Sequence, residues 1–166
     1  MDKQDYLQNL GLAAEYAVAS ELCRRNIYAQ LTLGLRKSTD ILVATEKTML
    51  KIQVKGRRKG NWQRIKGIYG EDMFLIFVDY KNKQEKDRPD FYILNFKDWK
   101  KLTKNIIKSH NDNRYKIELK KNYEISYTKV GEAKPIYQGM QIELHHIKDF
   151  YEKWEKIESV AISHKD

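Results

Sequence analysis

Thr39-Asp40-Ile41-Leu42-Val43-Ala44 and Thr48-Met49-Leu50-Lys51-Ile52-Gln53-Val54-Lys55 read as two β-strands, joined by a link (Thr45-Glu46-Lys47) short enough to make them an antiparallel hairpin. Side chains alternate across a strand. Leu50, Ile52 and Val54 therefore share one face of the second strand, and Lys51, Gln53 and Lys55 share the other. In the first strand Ile41 and Val43 pack inward while Asp40 faces the opposite way. Pairing in the hairpin then puts Asp40 close to Gln53.

Upstream, residues 4–25 read as a helix. Leu7, Leu10, Ala13, Ala14, Ala17 and Val18 recur at helical spacing and form its apolar stripe. Glu15 falls at the border of that stripe, in line with Gly11, because each residue turns about 100°. A glutamate there reaches the sheet surface, and Gly11, lacking a Cβ, permits close approach by another backbone. Residues 27–33 read as a strand ending in a turn at Gly34. Downstream, residues 56–70 read as irregular or briefly helical. The run from Met73 to Tyr80 is almost wholly apolar and predicts a central strand buried on both faces. Residues 91–96 predict a strand, 97–109 a helix, 123–130 a strand and 141–144 a short strand, with polar connections at 110–122 and 131–139. Residues 147–160 predict a helix with Phe150, Trp154 and Ile157 on one side, a stripe suited to a core or a subunit interface. The order α-β-β-β-(α)-β-β-α is that of one α/β domain over residues 1–166, with a mixed central sheet flanked by helices.

Composition narrows the function. The chain has 166 residues, 41% hydrophobic and 33% charged, as expected of a soluble globular protein. Its formal charge of +9 points to an anionic partner, most often nucleic acid. The excess is local: Lys51, Lys55, Arg57, Arg58, Lys59, Arg64 and Lys66 follow one another with no Asp or Glu between them. Arg36 and Lys37, close to Asp40, add to this surface. The segment from Gly56 to Lys66 suits phosphate contacts. Trp62 within it suits stacking on a base or sugar and core packing equally. Cys23 is the single cysteine, which excludes an intrachain disulfide and a cysteine-rich zinc site. His110, His145, His146 and His164 have no cysteine partners and no zinc spacing. No G-x-x-x-x-G-K-[ST] loop is present, so a nucleotide cofactor is not expected. Neither a signal peptide nor a membrane span is expected, and the cytoplasm is the default location.

The hairpin and the first helix together bring chemistry-bearing groups to one place. Magnesium takes a few hard oxygen ligands and keeps several waters. Asp40 supplies a carboxylate, the Gln53 side chain an amide oxygen, and Val54 a main-chain carbonyl. Glu15 holds a second metal or orients a water. Lys55 stabilises a metal-bound water as it deprotonates, or the anionic transition state. These are the parts that phosphodiester hydrolysis needs.

The same residues resemble the PD-(D/E)XK nuclease superfamily, in particular its Holliday-junction-resolvase-like and restriction-endonuclease-like members. The pattern there is G-x-x-x-E on a helix, D-I-L-V on a strand and (E/Q)-V-K on the next. Here these stand as Gly11 to Glu15, Asp40 to Val43, and Gln53-Val54-Lys55. The resemblance spans about residues 5–80, extending toward 109. It implies a restriction-endonuclease-like core (α-β-β-β-α-β) at about 5–109, with a C-terminal extension at about 110–166. It also implies Asp40 and Gln53 as ligands of Mg²⁺ or Mn²⁺, Lys55 as a catalytic residue, Glu15 as an auxiliary acid, DNA as substrate and a homodimer as the working unit. The usual acid of the third motif is here Gln53. Some active members resemble this chain in using glutamine, but the change removes one negative charge, and metal affinity should fall. Two alternatives therefore stand beside an endonuclease. One is a catalytically degenerate nucleic-acid-binding protein of the same fold. The other is a subunit of a larger repair or defence assembly, docked through its C-terminal helix.

Overall fold

A computed structural model describes residues 2–33, 38–45, 48–121 and 123–162. Arg36 and Lys37, the turn at Gly34 and Glu46-Lys47 of the hairpin link lie outside the described residues. In chain order the elements are α1 (Lys3–Arg24), β1 (Gln30–Leu31), β2 (Ile41–Ala44), β3 (Met49–Arg57), β4 (Trp62–Ile65), β5 (Met73–Asp79), β6 (Asp90–Asn95), α2 (Phe96–Lys108), β7 (Tyr115–Leu119), β8 (Ile125–Lys129), β9 (Tyr137–Gln138), β10 (Met140–Ile142), α3 (Leu144–Ile147), a 3₁₀ turn (Lys148–Phe150) and α4 (Glu155–Ala161).

The central sheet has the order β1-β2-β3-β5-β6. It is mixed: β3 and β5 run parallel, and the other neighbours are antiparallel. The hairpin register pairs Ile41 with Ile52 and Val43 with Leu50, so the apolar residues of both strands share a face. Every residue of β5 is buried, as its sequence predicts, because apolar layers cover it on both sides. On one side Ala14, Val18 and Leu22 of α1 and Trp154 and Ile157 near the C-terminus pack on Ile52, Val54, Ile76 and Ile93. On the other, Trp99 and Leu102 of α2 join Trp62, Ile65, Ile125, Met140, Ile142 and Ile147 over Leu75, Phe77 and Leu94. The C-terminal third is thus built into both cores.

Several expectations are corrected. The connection from β3 to β5 contains β4, paired with β10, and no helix among its described residues. The first strand shrinks to two residues, beyond which Thr32 turns its N–H and hydroxyl to the carbonyls of Asp40 and Thr39. Leu7 and Ala13 leave the apolar stripe and are exposed, since the first half of α1 overhangs a cleft and not the core. The polar stretch at 110–122 carries β7, and the expected loop at 131–139 carries β9. Residues 147–160 form no continuous helix. Glu152 adopts a left-handed φ of 52°, its N–H bonds to Phe91 O at 2.9 Å, and Tyr151 bridges Tyr92, so the segment pairs with the edge of β6 before α4 begins. Trp154 and Ile157 are core residues, which removes the stripe as a docking face. Among the described residues, no helix is long and apolar enough to cross a membrane.

Candidate functional site

β2 pairs with β3 only as far as Ile52, and β3 runs on for five more residues with no strand paired to that edge among the described residues. Asp40 stands where the pairing stops. Its N–H donates to Ile52 O at 2.9 Å, its C=O accepts from Thr32 N at 2.9 Å, and its Oδ2 accepts from Val54 N at 2.7 Å. Two main-chain bonds therefore fix Asp40, and a third holds its carboxylate against the edge of β3. In an extended strand the N–H and C=O of one residue point to the same edge, so the Val54 carbonyl also faces the side on which Asp40 lies.

α1 crosses β3 at Gly56. A Cβ there would lie 2.9 Å from Ala14 Cβ and 3.3 Å from Leu10 O, closer than side chains pack. Gly56, and not Gly11, is the glycine that permits close approach, for nothing lies within 4 Å of a Cβ built on Gly11. This contact brings Glu15, one residue beyond Ala14, to the open edge. Glu15, Asp40, Val54 and Lys55 line one cleft of about 580 Å³, together with Leu7, Gly11, Arg58, Lys59 and Gln63.

These groups are close enough to act on one another electrostatically. The Glu15 carboxyl titrates above its ordinary range, first because burial penalises its charge and second because Asp40 repels it, while Lys55 pulls the other way. The Lys55 side chain is half-buried, and its ammonium has no ion-pair partner among the described residues. Gln53 is placed differently. Its register opposite Leu75 turns it over the α2 side of the sheet. There it lines a second cavity of about 300 Å³, shared with Lys55, Arg64, Lys66 and Glu124. Lys55 borders both spaces. Among the described residues Gln53 Oε1 is buried without a hydrogen-bond partner, which is costly for an amide oxygen unless something positive meets it.

Among the described residues no group of three or more His, Cys, Asp or Glu is placed to hold a metal ion. The donors at the cleft edge are instead two carboxylates and a main-chain carbonyl, with the Gln53 amide oxygen in the adjoining cavity. Two carboxylates that repel each other beside a main-chain carbonyl are the kind of hard oxygen donors a small divalent cation takes.

No family model matches the chain, and no curated protein matches it. Among solved structures the chain is similar to a bacterial homing endonuclease, I-Ssp6803I, with 17% sequence identity and a TM-score of 0.44 over 93% of this chain and 92% of that one. A likeness so distant assigns neither a site nor an activity.

The basic segment divides in two. Arg58 and Lys59 are exposed on the cleft wall, free of ion pairs among the described residues. Arg64 and Lys66 are also exposed, flanking the Gln53 cavity; Lys66 lies 3.7 Å from Glu124 and bonds Gln138. Arg57 and Trp62 do not belong to the free surface. Arg57 is 5% exposed, ion-paired with buried Asp79 and bonded to Gly60 O. Trp62 is 3% exposed, stands edge-on to Phe77 at 5.1 Å, donates its Nε1–H to Lys55 O at 2.8 Å and carries the Arg57 guanidinium 3.8 Å above its ring. Of the two roles open to Trp62, packing is the one it fills, and it anchors the backbone of Lys55. Sequence reasoning missed Gln63, a polar residue on the cleft wall. Its signal was its place between two inward apolar residues, Trp62 and Ile65.

Proposed function

We propose that this protein is a metal-dependent endonuclease that hydrolyses DNA phosphodiester bonds. The supporting observation is the convergence of Glu15, Asp40 and Lys55 on one cleft walled by the exposed Arg58 and Lys59. Asp40, Glu15, the Val54 carbonyl and Gln53 would hold Mg²⁺ or Mn²⁺, which when bound supplies positive charge to the phosphate and acidifies a water. Lys55, a cation without a protein partner among the described residues, neutralises the charge that develops on the phosphate oxygens. Glu15 also orients the attacking water; as that water bonds to phosphorus the P–O ester bond breaks, and the proton it loses is made good at the departing oxygen through solvent. Arg58 and Lys59 hold the flanking backbone. Cutting both strands of a duplex calls for two copies, so a homodimer belongs to this proposal.

The test is nicking of supercoiled plasmid in Mg²⁺ or Mn²⁺. Nicking lost in Asp40→Ala and in Lys55→Ala, and on chelation, is the expected result; nicking that survives both substitutions refutes the proposal. A second reading, a DNA-binding protein with a degenerate site, is favoured by one observation: the cleft has two carboxylates where three would bind a metal more tightly. Salt-sensitive DNA binding without cleavage in either metal supports it.

A further inference from the structure

β4 and β10 form a two-stranded ribbon that the cleavage chemistry does not use. Trp62 pairs with Ile142 and Ile65 with Met140, which leaves Gln63 and Arg64 on β4 opposite the single residue Gln141 on β10. The ribbon therefore carries a β-bulge, a device that re-aims side chains, often beside active sites. Trp62, Ile65, Met140 and Ile142 are all buried, and Gln63, Arg64 and Gln141 are all exposed. The bulge thus presents two long polar side chains where a regular strand would present one. Arg64 holds a left-handed φ of 54° to do so, a conformation that an L side chain keeps only where its surroundings enforce it. Here they do: the Arg64 N–H donates to the Tyr137 hydroxyl at 2.9 Å, and the β9–β10 turn passes so close that a Cβ on Gly139 would lie 2.8 Å from the Arg64 carbonyl carbon.

The exposed groups are ordered. Gln63 Nε2 donates to Gln141 Oε1 at 2.9 Å, and Gln141 Nε2 donates to Glu143 Oε1 at 3.0 Å. A row of amides ending in a carboxylate is unsuited to phosphate but suited to base edges, which offer both donors and acceptors. The row also stands beside the candidate site. Gln63 lines the cleft that holds Asp40 and Lys55, and Arg64 lines the cavity that holds Gln53.

We propose that the bulged β4–β10 ribbon enters the major groove of duplex DNA and reads base pairs next to the cleaved phosphate. The inference rests on the DNA-cutting reading above and adds sequence selection to it. A major groove admits a two-stranded ribbon, glutamine matches the N6/N7 edge of adenine, and arginine matches the O6/N7 edge of guanine. Gln63 and Gln141 select A·T pairs, and Arg64 selects a G·C pair. Arg58 and Lys59 grip the backbone without regard to sequence.

The test selects bound molecules from a randomised duplex library with the full chain, without added metal so that no cleavage intervenes. The wild-type protein should enrich particular bases at a few adjacent positions. Gln63→Ala/Gln141→Ala should lower the A·T preference at those positions about tenfold, and Arg64→Gly should do the same for G·C. Arg58→Ala/Lys59→Ala should instead weaken binding to all sequences and flatten its salt dependence. Unchanged base preference in the ribbon variants overturns the proposal, as does preferred enrichment of a single-stranded RNA pool. Nicking and duplex binding with no base preference in the wild type overturn it while leaving the nuclease reading intact; absence of both removes the two together.

Discussion

Asp40 serves two purposes that substitution can separate. Its carboxylate accepts the Val54 N–H at 2.7 Å, and Val54 is 6% exposed, so that donor has little recourse to water. Asp40→Ala removes the acceptor and should cost about 1–3 kcal/mol of stability, the usual penalty for a buried donor left unpaired. Asp40→Asn keeps an oxygen in place and loses only the charge-assisted part of the bond, a cost below about 1 kcal/mol. Metal binding responds otherwise. Asparagine removes one of two anionic donors, so both variants should lose Mn²⁺ affinity by at least about tenfold, equivalent to ~1.4 kcal/mol. Asparagine also removes the charge that raises the Glu15 pKa after burial, so Glu15 should ionise at lower pH in that variant. Urea melts give the first difference and calorimetric Mn²⁺ titration the second, with plasmid nicking alongside. An Asp40→Asn protein that binds Mn²⁺ and nicks like the wild type would reduce Asp40 to a cap for the strand edge and refute the metal site.

Gln53→Glu adds a full charge where a buried amide oxygen has no partner among the described residues, so Mn²⁺ affinity by titration should rise about tenfold or more; unchanged affinity removes Gln53 from the ligand set. Glu21 titrates at about 2, down from an ordinary 4.5, because Arg88 and then Arg25 hydrogen-bond its carboxylate against the cost of burial. A lowered carboxyl pKa stabilises the fold above the unfolded value, and the effect is lost as pH falls from about 4.5 through about 2. Glu21→Gln should therefore cost roughly 2 kcal/mol in urea melts above pH 5, allowing for the solvent exposure of Arg88, and nearly nothing near pH 2. Trp62→Phe forfeits the bond to Lys55 O and should cost about 1–2 kcal/mol by thermal melt; a base-stacking residue would lower DNA affinity and leave stability alone. Gly56→Ala forces α1 away from β3, at about 1–3 kcal/mol, and should slow nicking beyond what that loss of folded protein explains, with partial recovery in Gly56→Ala/Ala14→Gly.

The elements that form the cleft were legible because their signals are local. Alternation in Leu50-Lys51-Ile52-Gln53-Val54-Lys55 fixed the strand and its faces, and the short link after Ala44 fixed its partner. The apolar run from Met73 marked the buried centre. What escaped depended on distant residues. Trp62 and Ile65 are three apart, a helical spacing, yet they face the same way because a bulge opposite Gln141 inserts an extra residue into a strand. The segment after Ile147 has helical periodicity, but β6 captures its backbone at Tyr151 and Glu152. β7 was misread although Tyr115, Ile117 and Leu119 alternate with polar residues, since the surrounding polarity hid the period. At the site, Glu15, Asp40 and Lys55 meet as expected, while Gln53 looks into an adjoining space, because the open strand edge lets groups from both faces of the sheet gather around Lys55.

Both apolar layers are completed by residues far along the chain: Met140, Ile142 and Ile147 seal one, Trp154 and Ile157 the other, and Lys156 ties α4 to Asp98 and Ile93 O. During synthesis the ribosome therefore delivers Asp40 and Lys55 long before the pieces that brace their strands. A nascent chain that has emerged only to Lys108 has two unsealed sides and no ribbon beside its cleft. The two layers beneath the cleft close only once residues 140–157 have joined them, so the chemistry-bearing strands emerge first and their supports follow.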